Sequence, residues 1–345
     1  MPQKNRVTIK DIAKEAGCHY SLVSLALREE TAHRVNPETR KQILEICERL
    51  NYFPDHSARQ LVSRESNTIV FALPFFAEMI ASEPFAKMIS GVMSGATEHG
   101  LDLHFLLAKE GKMDTETREL LHGKRMAGIV TAAPDTSADF FEELKKMGVP
   151  VIVICTYHPG HGTHHVYCDN ELASLNAVSY LAQCGHERIA MIKGPNQSCD
   201  AKARFTGYLK ALKKHKIALD ENLIVGATCF SVPHGYEATQ TLFSRFEKPT
   251  AICCANDDLA IGCLKALKEA RIKCPEEVSV VGFDNIAITE YTHPPLTTVE
   301  QPFFKMGQEA VALMLDILEF GDKKMIDRCI DAKFIVRESV SQNQK

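Results

Sequence analysis

TIKDIAKEAGCHYSLVSLAL, residues 8–27, decides how the rest of the chain is read. Ile9, Ile12, Ala13 and Ala16 recur at helical spacing on one side of Gly17. Val23, Ala26 and Leu27 do so on the other. Glycine is the residue best suited to the tight turn between them. Thr8 followed by Asp11 reads as a capping box opening the first helix. Two short helices meeting at such a turn predict a helix-turn-helix, whose second helix lies in the major groove of DNA. Two-helix corners occur in many unrelated domains, so the flanking sequence has to decide.

Working outward, REETAHRV is polar and turn-like. Asn36-Pro37-Glu38 is then a strong helix start, with an amide cap, proline at the first position and an acid in the first turn. Ile43, Ile46, Cys47 and Leu50 form the buried stripe of that helix. Residues 1–54 therefore read as a small all-helical headpiece. Residues 55–68 read as a linker, in the plain reading a disordered tether and in the sharper one a segment that becomes helical when it meets DNA.

From Ile69 the pattern changes to short apolar strands alternating with amphipathic helices. The strand candidates are 69–73, 101–107, 128–132, 151–154, 188–192, 223–225, 251–255 and 278–282. A helix follows at Phe303–Phe320 and a last strand near 333–336. This alternation predicts parallel sheets covered by helices, an α/β body. Its length calls for two doubly wound subdomains with a ligand crevice between them. We divide it as 69–168 plus about 300–328, and 169–299 plus about 329–340.

Composition agrees. Residues 1–65 hold 11 Lys and Arg against 9 Asp and Glu, and the remainder carries a net −6. A slightly basic head on an acidic body fits a DNA-binding head. The N-terminus lacks the apolar core of a signal peptide, no run is long enough for a membrane span, and the 12 cysteines are scattered without CxxC pairs. These features predict a reduced, cytoplasmic protein.

VTIKDIAKEAG, NPETRKQILEICERLNYFPD, SARQL, AQCGHERIAMIKGP, ARFTGY, PTAICCANDDLAIGCLKAL, VSVVGFDNIAIT, PPLTTVEQP and IVRES together resemble the lactose-repressor/galactose-repressor family, in family order from Val7 to Ser339. The resemblance implies a bacterial transcription factor, commonly a repressor. It would have a helix-turn-helix headpiece, a hinge helix and a core like the periplasmic sugar-binding proteins. It would act as a homodimer on double-stranded operator DNA under a small-molecule effector, most often a sugar, with no cofactor.

The resemblance assigns DNA contact to Thr8, His19, Tyr20, Ser21, Leu22, Ser24, Leu25 and Arg34 in the headpiece, and to Ala58, Arg59 and Leu61 in the hinge. Tyr20 and Ser21 occupy the positions that read base edges, and Ser24 is suited to a phosphate. Two departures stand out. Leu22 replaces a threonine that usually holds phosphate, and Leu25 an arginine that often contacts a base. Leucine cannot grip guanine but can pack on a thymine methyl. This predicts A·T in the half-site where many relatives read G; the plainer alternative is that Leu25 touches no base. Leu61 would wedge into the minor groove beside Ala58, with Arg59 on a phosphate. Asp55 replaces the usual Asn there, an acid beside DNA.

Ligands of open α/β sheets bind beyond the carboxyl ends of the strands. Arg204, Asn256 and Asp284 fall there and match family effector positions. Asp257 is read as the helix cap of its segment. Asp169, at the crossing between subdomains, is a further polar candidate. Phe75 and Phe85 are candidates for stacking on a ligand face, against the plainer reading of both as core. The run His158 to His165 has imidazoles at metal-compatible spacing, but a Pro/Gly loop does not fix ligand geometry, so it reads as exposed histidines. A transport protein would share the core but not residues 8–61. GxSxG, P-loop and HExxH motifs of enzymes are missing from the sequence.

Overall fold

The computed structural model describes residues 7–27, 29–50, 52, 67–75, 82–109, 126–132, 142, 144–157, 162–245, 248–322 and 324–343. The chain divides into two compact units, Met1–Glu65 and Ser66–Lys345. The hinge residues Ala58, Arg59 and Leu61 lie outside the described residues.

In the first unit, α1 (Ile9–Glu15), α2 (Tyr20–Ala26), α3 (Glu29–Ala32) and α4 (Pro37–Arg49) follow one another. The Thr8 N–H donates to Asp11 Oδ2 at 2.8 Å and its hydroxyl to the same oxygen at 2.7 Å. These bonds hold the Asp11 carboxyl below the usual carboxylate range. Gly17 makes the turn at φ 64°. Asn36 caps α4 by accepting the Glu38 N–H at 2.9 Å. Ile12, Val23, Ala26 and Ile43 are fully buried at the centre of a core with eight buried side chains. Each full-sized aliphatic contributes about 1.5–3 kcal/mol, so the headpiece has little stability in reserve.

In the second unit, β1 (Thr68–Phe75), β2 (Asp102–Lys109), β3 (Gly128–Thr131), β4 (Val151–Cys155), β5 (His164–Tyr167) and β11 (Asp327–Cys329) form an all-parallel sheet in the order β11-β5-β4-β3-β1-β2. A second parallel sheet, β7-β6-β8-β9, is built from β6 (Ile189–Lys193), β7 (Ile224–Gly226), β8 (Ala251–Cys254) and β9 (Ser279–Val281). β10 (Thr298–Glu300) pairs antiparallel with β12 (Lys333–Ile335). The inner strands β3, β6 and β8 are buried on both faces, which explains their continuous apolar runs. The chain crosses between the sheets at 168–169, 301–302 and 330–332.

The helices are α5 (Glu83–Glu98), α6 (Asn170–Gln183), α7 (Cys199–Lys214), α8 (Val232–Ser244), α9 (Asp257–Glu269) and α10 (Phe303–Phe320). Against the first sheet, α5 and α10 cross at glycines. A Cβ on Gly91 would lie 2.0 Å from Phe304 O, and one on Gly307 would lie 2.4 Å from Met88 O. Backbone meets backbone there. α8 and α9 meet the same way through Gly235 and Gly262. Among the described residues no helix is long and apolar enough to cross a membrane.

Three strands, β5, β10 and β11, were not foreseen, and β5 corrects the reading of an exposed histidine loop. His164 and His165 lie in β5 and are 1% and 2% exposed. β11 and the turn before it supply their partners. His164 Nε2 lies 3.1 Å from Asp322 Oδ1, and His165 Nδ1 lies 2.8 Å from Asp327 Oδ1. His164 Nδ1 accepts the Ile326 N–H at 3.1 Å, so both of its ring nitrogens are occupied. Burial holds the His164 imidazole below its usual range against the pull of Asp322. His158 and His161 lie outside the described residues. Among the described residues no three His, Cys, Asp or Glu side chains are grouped to hold a metal.

Candidate functional site

Two places concentrate polar chemistry. The first is the headpiece surface around α2. His19 caps this helix: its Nδ1 receives the Ser21 N–H at 3.4 Å and lies 2.7 Å from Ser21 Oγ. The His19 ring packs on Tyr20 at 4.2 Å, and Tyr20 is 49% exposed. Ser21 and Arg34 are exposed, while Ser24 is half-buried. The C-terminal carbonyls of α2 are held from outside the helix. Thr31 Oγ1 donates to Leu25 O at 3.0 Å and Arg40 Nε to Ala26 O at 3.1 Å. Leu22 and Leu25 are half-buried against the headpiece core. Both therefore pack within the headpiece, a role that the substitution pattern alone did not suggest.

The second place is the junction of the two sheets, at the carboxyl ends of their strands. Arg204, on α7, is buried there. Its Nε donates to Asn170 Oδ1 at 2.8 Å and its Nη1 to Ala255 O at 2.5 Å. Its Nη2 lies 3.8 Å from Asp284 Oδ1, and its guanidinium lies 4.1 Å from the centre of the Phe283 ring. A planar cation fixed on three sides presents a rigid donor edge. Asp284 accepts from Gln301 Nε2 at 2.7 Å. Burial pushes its carboxyl up to about 7, against the opposing effect of Arg204. Asp200, in the first turn of α7, accepts from Asn170 Nδ2 and from Thr156 Oγ1, each at 3.3 Å. Thr156 follows β4, so this bond joins the two halves of the core.

Arg204 and Asp284 are thus brought together. Asn256 stands beside them, following β8, and its Oδ1 caps α9 by accepting the Leu259 N–H at 2.9 Å. This corrects the assignment of the cap to Asp257. Asp257 is fully buried and instead holds the chain after β9, accepting from Ile286 N–H at 3.0 Å and Thr298 Oγ1 at 2.6 Å. Burial pushes its carboxyl up to about 6. Gly282 makes room for it, since a Cβ there would lie 2.1 Å from Asp257 Oδ1.

Asp169 is exposed and caps α6 by accepting the Leu172 N–H at 2.9 Å. Its neighbour Asn170 is the residue that meets Arg204. Phe85 lies in the core of the first sheet, 4% exposed and 6.5 Å from the Phe71 ring. Phe75 ends β1, and its side chain lies outside the described residues.

Asn170, Asp200 and Phe230 were missed by the sequence reading. Phe230 approaches the Arg204 guanidinium to 5.9 Å. Gly194 permits the approach, since a Cβ there would lie 2.3 Å from the Phe230 ring. None of the three carries a periodic signal. Asn170 follows a cap, Asp200 sits in an ordinary acidic first turn, and Phe230 stands in an irregular loop.

Comparison with known proteins agrees with this architecture. Residues 8–55 match the family model of bacterial regulatory proteins of the lacI family, and residues 178–340 match a periplasmic binding protein-like domain. The chain is 30% identical to the HTH-type transcriptional repressor CytR of Escherichia coli (strain K12), over 98% of this chain and 97% of that protein. The crystal structure of the Lac repressor dimer bound to operator and the anti-inducer ONPF superposes with a TM-score of 0.85, covering 98% of this chain and 100% of that one at 23% identity. The transcriptional regulator CelR–cellobiose complex superposes at 0.71, with 25% identity over 97% and 100% of the two chains. The chain belongs to the lacI family of bacterial regulatory proteins. It is a helix-turn-helix transcriptional regulator with a core of two parallel-sheet subdomains.

Proposed function

We propose that this regulator is a repressor, that it grips operator DNA as a homodimer, and that a sugar or related small metabolite held between the two core sheets controls it. The observation that carries the effector reading is Arg204. A buried guanidinium is braced by Asn170, Ala255 and Phe283, with Asp284 facing it, where open α/β sheets bind ligands. Paired donors and acceptors at that edge suit the hydroxyls of a polyol. Asn256, Asp200 and Phe230 complete the wall. Tyr20, Ser21 and Ser24 read the operator, with Thr8, His19, Leu22, Leu25 and Arg34 beside them. Ala58, Arg59 and Leu61 act at the operator centre. The protein works in the cytoplasm, where its DNA lies, performs no covalent chemistry and needs no cofactor besides its effector.

By linkage, an effector that changes operator affinity must have its own affinity changed by operator to the same factor. Two measurements test the proposal. Operator-DNA retention should vanish when residues 1–62 are removed. In a thermal-shift screen of sugars, sugar acids, nucleosides and purines, a true effector raises the melting temperature of wild type and not of Arg204→Ala. DNA binding that survives the truncation, or a shift that survives loss of Arg204, would sink the corresponding half.

A further inference from the structure

The turn that carries Asp284 is held from both halves of the core. In its own half, Asp257 accepts the Ile286 N–H at 3.0 Å and Arg337 Nη2 donates to Asn285 Oδ1 at 2.8 Å. Arg337 is anchored in turn, its Nη1 donating to Leu296 O at 2.8 Å. From the other half, the first turn of α5 reaches across. Both Glu83 carboxylate oxygens accept the Ala287 N–H, at 3.0 and 2.9 Å, and Lys87 Nζ donates to Asn285 O at 3.3 Å. Glu83 and Lys87 also pair with each other at 2.7 Å, one helical turn apart.

The backbone between these anchors is strained. Asp284 and Asn285 hold φ of 120° and 56°, which L residues seldom adopt. Such conformations persist only where the surroundings hold them. Asp284 through Ala287 are four consecutive residues, running from the bridge that Asp284 makes with Glu300 to the start of the 3-10 helix at Ala287. The same short segment thus carries the Asp284 carboxylate that faces Arg204 and the Asn285 carbonyl and Ala287 N–H that α5 grips, with the Asp284 N–H fixed on Val299 O at 2.7 Å.

We infer that Glu83 and Lys87 are positioning residues for Asp284, and that this contact passes the state of the site to the N-terminal half of the core. The inference rests on the effector reading of Arg204 and Asp284. A like charge works against the contact: the Asp258 carboxyl, at the head of α9, is pushed up by burial and then by Glu83.

Hydrogen exchange on the full-length, ligand-free protein tests the inference in two arms. Glu83→Ala should speed exchange of the amides at 286–288 at least tenfold while those of β8 and β9 keep their rates. Glu83→Gln retains an acceptor oxygen and should restore most of the protection. In the reverse arm, Asp284→Asn should speed exchange at 86–88, the first bonded amides of α5, at least threefold. Unchanged rates in either arm overturn the inference, as does acceleration spread evenly through β8 and β9, which would mark a general loss of stability. No ligand takes part, so failure here leaves the effector reading to its own Arg204→Ala test.

Discussion

Asp284 Oδ1 and Arg204 Nη2 face each other at 3.8 Å, beyond hydrogen-bonding distance, while every other edge of that guanidinium is closely held. The pair is an ion pair kept slightly open. A ligand hydroxyl could bridge it by accepting from one side and donating to the other.

This arrangement predicts a pH dependence of stability. The Asp284 carboxyl is pushed up to about 7 in the folded chain, against an ordinary value of 3.8. The folded state therefore binds the proton more tightly than the unfolded state. The stabilisation is complete below pH 4 and is lost as the pH rises through about 7. Asp284→Asn should flatten the fall of melting temperature between pH 5 and 8. His164 acts in the opposite direction, because burial lowers its affinity for the proton. Its contribution is complete above about pH 6.5 and is lost as the pH falls through its lowered folded value. His164→Gln should flatten the acid side. Melting curves across pH 4–8 that keep the wild-type slope in both variants would contradict these assignments.

The crossing of α5 and α10 leaves no room for a methyl group. Gly91→Ala should cost about 1–3 kcal/mol or more of core stability, because Phe304 O is backbone and cannot rotate away. Urea unfolding of the core measures it. A midpoint equal to wild type would mean that the helices separate more easily than this packing implies.

The headpiece should melt on its own account. Ile43 is fully buried in a core of eight side chains, so Ile43→Ala removes about 2–5 kcal/mol from a unit with little to spare. Limited proteolysis should then cut the first 50 residues while the two parallel sheets stay resistant. Equal resistance of both units to protease would count against a separate headpiece core.

Leu25 is half-buried on α2, the helix proposed to read the operator. Leu25→Arg should move operator preference from A·T to G·C at one position of each half-site, since arginine can grip guanine through two bonds. Discrimination of about 1–3 kcal/mol is expected for such a pair. Operator selection with both proteins decides it, and identical preferred sequences would leave Leu25 as a packing residue alone.

The strands at 69–73, 128–132 and 151–154 were legible because a parallel strand covered on both faces carries a nearly continuous apolar run, broken here only at Thr131. The helix Phe303–Phe320 was legible from end to end because its apolar stripe keeps one period until Gly321 stops it. Gly17, Asn36 and Pro37 marked helix boundaries within the headpiece through backbone requirements that act locally. Tertiary structure decided what depends on distant partners. His164 and His165 are buried only because Asp322 and Asp327, some 160 residues later, arrive beside them. Asn170, not its neighbour Asp169, meets Arg204, since the capping residue must turn its carboxylate back onto its own helix. Glu83 reads as an ordinary acid at the start of a helix, and only the crossing of two sheets sets it on the Ala287 amide. Local chemistry fixes which elements form. Contacts between residues far apart in the chain decide which polar groups face a ligand, because that depends on where whole sheets meet.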